Sequence, residues 1–140
     1  MREIKFRGKR TGNGDWVYGD FYHTQLHKQG YSCCDVYMIR DELDEDFEVV
    51  FATIGQFTGL KDKNGTEIYE GDIVSLYQGE IKVKGVAIIK FSYGYVGGWV
   101  VIESDKDVNK FGLSLGLHNN ITEVVGNIHD KPELLKITKN

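Results

Sequence analysis

Apolar and polar residues alternate along much of this chain with the period of a half-buried strand, whose successive side chains point to opposite faces. The opening "EIKFRGK" sets Ile4 and Phe6 against Glu3, Lys5 and Arg7. "TGNGD" follows as a turn, and "WVYGDFYH" reads as the returning strand of a hairpin. Residues 23–35 are polar and fit no periodic template, and the pattern leaves the structure of 23–52 as a whole unspecified. Within that stretch Val36 to Ile39 ("VYMI") predicts a short strand. "RDELDEDFE" interrupts it with charge, and "VVFATIGQF" resumes an extended pattern.

The pattern is firmer from Thr58 onward. Asn64-Gly65 lies between "QFTGL" and "TEIY" and predicts a two-residue type I′ turn, which needs positive φ at both central positions. "EGD" is a second turn, relaxed by Gly71, in which Asp72 is placed to accept a hydrogen bond from nearby backbone N–H. Gln78-Gly79 turns the chain into "EIKVKGVAIIKF", a long strand whose interior Gly85 marks a bulge or bend. "SYGYVGG" leads into "WVVIE". Residues 104–122 are loop-like with a weak strand around Phe111 to Leu115, and "TEVVGNIH" closes the sheet. Pro132 stands where a short helix, "PELLKI", begins. The expected barrel strands are 73–77, 80–91, 98–103 and 123–129. Val74, Leu76, Val86, Ile88, Val100, Ile102, Val125 and Ile128 are expected inside, subject to a register shift at Gly85 or Gly126. Many short strands with frequent turns, no long helix and no repeat predict an all-β chain with a small barrel or sandwich.

Composition agrees with a globular domain. The 140 residues are 41% hydrophobic and 27% charged, with a formal net charge of -4. That length buries a core without metals or disulfides. The mild acidity does not advertise nucleic acid or an anionic membrane as partner. Cys33 and Cys34 are adjacent, a poor geometry for a structural disulfide, and read as reduced thiols. "MREIKFRGKR" has no apolar secretory core, and no apolar run is long enough to span a bilayer. A cytoplasmic protein is expected.

Three stretches carry a family resemblance. "IKFRGKR" with "WVYGDF", "GQFTGLKDKNGTEIYEGDIV" (Gly55 to Val74) and "EVVGNIHDKPELL" (Glu123 to Leu135) together resemble the YopX family of phage and prophage proteins over nearly the whole chain. The resemblance implies a mainly β fold: an N-terminal β-hairpin region with an irregular loop over 1–58, then an SH3-like β-barrel with a short C-terminal helical turn over 59–140. It implies a phage or prophage product in a bacterial host cytoplasm. It brings no catalytic residues with it.

Each cluster of chemistry-bearing residues has a plainer reading. Gly59 and Gly65 are spaced as in a phosphate loop, but Thr66 and Glu67 follow and a strand comes next, so no helix N-terminus holds a phosphate. Asp62, Asn64 and Gly65 echo an incomplete calcium loop without its helices. The stretch is read as two consecutive turns that launch the barrel, with Lys61 and Lys63 solvating the first. His23 and His27, at i and i+4, with Cys33 and Cys34, would make a zinc set only on a helix, and the pattern there is strand. Asp41, Glu42, Asp44, Glu45, Asp46 and Glu48 read as a solvated, mobile loop rather than a cation site. "GLSLG" matches the nucleophile-elbow pattern around Ser114, with His118 and His129 in reserve, but the strand–turn–helix scaffold is not expected.

The aromatic residues Trp16, Tyr18, Tyr93, Tyr95 and Trp99, beside Lys82, Lys84 and Lys90, would stack bases on a basic barrel. From residue 59 on, however, the chain has ten lysines against eleven acids and no arginine. That balance is poor for phosphate. The sequence therefore predicts no enzyme, no catalytic, cofactor or metal residues, and no cofactor. It predicts a non-enzymatic macromolecular-interaction module with a host or phage protein, or a second copy of itself, as partner, and no membrane. The alternative is a nucleic-acid-binding accessory protein using Lys5, Arg7, Lys9, Arg10 and the "IKVK" lysines. A small metal-dependent hydrolase comes third.

Overall fold

The computed structural model describes residues 3–26, 34–83, 85–93, 98–102 and 112–139. The chain divides between Phe57 and Thr58 into two compact units. Both are built from antiparallel strands, and the protein is mainly β as expected.

The first unit holds β1 (Phe6–Lys9), β2 (Trp16–Leu26), β3 (Cys34–Arg40), β4 (Asp46–Glu48) and the start of β5 (Gly55–Lys61). Their order is β4-β3-β2-β1-β5. The expected β1–β2 hairpin is present, with Arg7 opposite Tyr18 and Lys9 opposite Trp16. β2 runs on past His23 to Leu26, and β3 starts at Cys34 rather than Val36. "VVFATIGQF" is not continuously extended, because Phe51–Thr53 form a single 3-10 turn before β5.

The inside–outside reading of β1 is corrected. Ile4 is 59% exposed, whereas Arg7 is only 6% exposed. Phe6 and Arg7 do point to opposite faces, but both faces are covered. Phe6 lies 5.6 Å from the Phe21 ring, and the Arg7 guanidinium carbon lies 4.7 Å from the centre of Trp16. A long cationic side chain can bury its stem and stack its planar head, so charge did not mark the solvent side here. Val36, Ile39, Val49 and Phe57 are the buried apolar residues of this unit. Val49 crosses Gly8 so closely that a β-carbon there would lie 3.0 Å from the Val49 β-carbon.

The second unit adds β6 (Glu67–Tyr69), β7 (Asp72–Gln78), β8 (Ile81–Lys82), β9 (Ala87–Ser92), β10 (Gly98–Ile102), β11 (Leu113–Ser114) and β12 (Thr122–Asn127). The order β11-β10-β9-β7-β12 curls into a half-barrel, with β8 folded back on β7. One helical turn, α1 (Leu115–His118), follows β11, and a 3-10 helix (Pro132–Lys139) starts at the expected proline. The single strand expected over 80–91 is two strands. Gly85, at φ 95°, separates β8 from β9.

The core on one face of this sheet is Val74, Ala87, Ile89 and Val101 with Ile68 and Leu115. Leu60, Leu76, Trp99 and Val124 pack around it. Of the residues expected inside, Val74 and Leu76 lie on this face. Ile88, Val100 and Ile102 point to the opposite face and are buried there, while Val86, Val125 and Ile128 are half-buried. A sheet covered on both sides gives alternation no single inside to select. The register also shifts between Val124 and Gly126, as a bulge there would cause. The Ser75 hydroxyl is fully buried and has no hydrogen-bond partner among the described residues. Ser75→Ala is therefore expected to raise stability by about 1 kcal/mol, read as a higher midpoint in chemical denaturation.

The stretch around Asn64-Gly65 is a turn, but not the expected type. Gly65 has φ 84°, while Asn64 is not among the residues of positive φ. Gly65 N–H donates to Asp62 O at 3.0 Å, and Asp62 N–H donates to Thr66 O at 2.8 Å. That is a three-residue loop with a single left-handed position. What selects it is Asp62. Its Oδ1 accepts the N–H groups of Asn64 and Thr66 at 2.8 and 2.9 Å, and its Oδ2 accepts that of Val124 at 2.9 Å. Lys63 N–H donates to Thr122 O beside it. One buried carboxylate thus shapes the loop and ties it to β12, standing in for a backbone carbonyl. Asp72 accepts from Tyr69 N–H at 2.7 Å, as expected.

The acidic segment repeats the device. Asp41 Oδ1 accepts from Leu43 and Glu45 N–H, Asp41 N–H donates to Glu45 O, and Asp44 N–H donates to Asp41 O. Asp44 takes the left-handed position at φ 61°. The segment expected as a mobile solvated loop is a hydrogen-bonded hairpin loop between β3 and β4. A carboxylate residue can thus occupy the position that glycine fills at 65. Valine there is different, because its branched β-carbon clashes at positive φ. Gly65→Val is expected to cost about 1–3 kcal/mol, although nothing crowds the site, and Gly65→Asn much less. Denaturation midpoints of the two variants check this.

Candidate functional site

The candidate clusters are dispersed or incomplete among the described residues. His23 lies on a strand, so the helical spacing to His27 does not apply. His27 and Cys33 lie outside the described residues, and Cys34 is exposed. His23 and Asp35 share one face of the β2–β3 ladder and Cys34 the other. Among the described residues no group of three or more His, Cys, Asp or Glu side chains could hold a metal ion. Ser114 does precede a helical turn, which the sequence did not suggest. Its φ of −60° is not a strained elbow, and His118 Nδ1 lies 2.8 Å from the Ser114 carbonyl oxygen.

The basic set is also divided. Arg7 and Lys9 both lie over the Trp16 ring, and Lys5 over Phe57. Lys63 is more than a solvating residue, since its ammonium lies 3.7 Å from the centre of the Tyr77 ring. Tyr77 in turn donates to Glu123 at 2.9 Å, and that carboxylate raises the Tyr77 pKa. Lys84 and Tyr95 fall outside the described residues.

What the structure assembles instead is a row of aromatic rings in the first unit. Register places Phe6, Phe21, His23, Tyr37, Ile39 and Phe47 on one face of β1–β4. Phe6 and Phe21 are 5.6 Å apart, Phe21 and Tyr37 6.3 Å and stacked, and Tyr37 and His23 5.0 Å and stacked. Phe51, carried by the 3-10 turn, lies on Tyr37 at 4.5 Å and is 62% exposed. Rings at these separations pack against one another in stacked and tilted pairs, which makes one continuous aromatic strip.

Polar groups border the row. His23 Nε2 and Gln25 Nε2 each lie 3.1 Å from Asp35 Oδ1, and these contacts, Gln25 first, lower the Asp35 pKa. Arg10 lies over Phe47 at 4.6 Å. On the opposite face of the ladder Arg40 grips Asp46 through two bonds, at 2.8 and 3.2 Å, which lowers the Asp46 pKa. The sequence reading missed the row because Phe21, Tyr37 and Phe51 lie in or beside the stretch whose pattern specified nothing. Only the two-residue spacing of Tyr37 and Ile39 hinted at a common face.

Two antiparallel sheets, with an aromatic face on one and a half-barrel in the other, define a mainly β protein. The chain belongs to the YopX family: the family model described as YopX protein matches residues 5–136. No curated protein matches the chain. Among solved structures it is similar to the crystal structure of protein EF1440 from Enterococcus faecalis, with 25% identity and a TM-score of 0.49 over 96% of this chain and 99% of that one. No helix among the described residues is long and apolar enough to cross a membrane.

Proposed function

We propose that the protein is a phage- or prophage-encoded, non-enzymatic interaction module of the bacterial cytoplasm that binds another protein through the aromatic face of its first unit. The observation that carries this is the Phe6–Phe21–Tyr37–Phe51 row, half-exposed on a sheet and bordered by polar groups. Buried aromatic anchors inside a polar rim are where protein interfaces concentrate their energy.

Charge favours protein over nucleic acid. Residues 1–57 carry seven Lys and Arg against ten Asp and Glu. The acidic loop adjoins Phe47, so phosphate would be repelled and a partner with basic residues beside an apolar strip attracted. The burial of Arg7 also removes a cation from the nucleic-acid reading.

The test places a photo-reactive phenylalanine analogue at Phe51, and at Leu117 as an exposed control, in host cells. A discrete protein adduct at Phe51, absent at Leu117 and abolished by Tyr37→Ala in an otherwise stable protein, is expected. Equal adducts at both positions, or nuclease-sensitive adducts only, would overturn the proposal.

A further inference from the structure

We infer that Asn64 is a site of spontaneous deamidation, held in check by the Asp62 loop, and that its isoaspartate product unlocks the tie between that loop and β12. The reaction needs only water. The Gly65 backbone nitrogen loses its proton and attacks the Asn64 side-chain carbonyl carbon. The amide nitrogen leaves as ammonia, and a five-membered succinimide ring remains. Water then opens the ring to aspartate, or to isoaspartate, in which the chain runs through the side-chain carbon.

Asn64 has the exposure and the neighbour this chemistry needs. Both Asn64 and Gly65 are exposed, and a β-carbon at Gly65 would meet nothing within 4 Å, so no side chain crowds the glycine. No hydrogen bond holds the Asn64 side-chain amide among the described residues. Nor does the loop require asparagine at this position. The equivalent position in the matching loop is Leu43, and Asn64 does not adopt the positive φ that would favour it.

The restraint lies in the backbone. The Gly65 N–H that must lose its proton donates to Asp62 O at 3.0 Å, and the Asn64 N–H donates to Asp62 Oδ1 at 2.8 Å. Together these fix both peptide units beside the reacting carbon. Attack therefore waits for the loop to open, and the rate reports that opening. The product cannot restore the closed loop, because isoaspartate adds a backbone carbon between the two N–H groups that Asp62 holds. With the carboxylate displaced, Val124 N–H loses its acceptor.

The experiment follows residues 61–66 by peptide mass mapping and chromatography during incubation at mildly alkaline pH, native and in denaturant. Conversion is expected to be at least about tenfold faster in denaturant, and accelerated in native Asp62→Asn. The purified isoaspartate form is expected to have a lower denaturation midpoint and an unprotected Val124 amide. Asn64→Asp, of the same mass but ordinary backbone, is expected to retain the native midpoint and a protected Val124 amide. Equal native and denatured rates, no conversion in denaturant, or an isoaspartate form as stable as Asn64→Asp would each overturn the inference.

Discussion

Gly19→Ala is expected to destabilise the first unit by about 3–4 kcal/mol, at the upper end of overpacking substitutions. An added β-carbon would lie 1.9 Å from Arg40 O, 2.8 Å from its carbonyl carbon and 3.1 Å from the Asp41 α-carbon. All three are backbone atoms, so no side chain can rotate away. Relief requires β2 and β3 to separate next to the Asp20–Arg40 pair, where their ladder begins. That ladder carries Phe21 and Tyr37, so the aromatic row should loosen with it. Hydrogen exchange checks the location: protection is expected to fall across β2 and β3 and to persist in β7 and β12. Gly12→Ala is the control, since a β-carbon there meets nothing within 4 Å. A Gly19→Ala midpoint equal to that of Gly12→Ala would show that the close approach is not a real constraint.

Nothing in the pattern around "VYGDF" distinguishes this glycine from a turn residue. Strand alternation is a local signal, whereas the Gly19 constraint comes from a residue 21 positions later in the chain. The same contrast runs through the molecule. The hairpin at residues 6–23, the turn at Asp72 and the helix start at Pro132 were legible because the residues that cause them are neighbours in sequence. The burial of Arg7 was not, because it depends on Trp16 across the ladder. Ile88, Val100 and Ile102 are buried as expected, but on the face opposite Val74, because a sheet buried on both sides presents apolar residues without a preferred phase. The aromatic row was illegible for a further reason. Its rings come from three strands and a 3-10 turn, and only register brings them together. The Asn64-Gly65 dipeptide correctly announced a turn but concealed its controlling residue, since the strongest local turn signal drew attention away from Asp62.

Asp62→Ala is expected to cost about 2–4 kcal/mol, because it orphans three backbone N–H groups at once. Those of Asn64 and Thr66 sit in an exposed loop, where water can replace the carboxylate. Val124 lies on half-buried β12, and its N–H has no comparable substitute. The seam should therefore contribute more than the loop, and the matching hairpin provides the comparison. Asp41 makes the same two loop bonds without a third to a distant strand. Asp41→Ala is accordingly expected to cost only about 0.5–2 kcal/mol, the range of a lost side-chain cap. Asp62→Asn should fall between the two. Its amide keeps one oxygen, but its NH2 must face either the loop or Val124, donor against donor. Amide exchange at Val124 separates these contributions. Protection is expected to collapse in Asp62→Ala, to weaken in Asp62→Asn and to remain intact in Asp41→Ala. If Asp62→Ala costs no more than Asp41→Ala and Val124 stays protected, the carboxylate shapes only its own loop, and β12 is held without it.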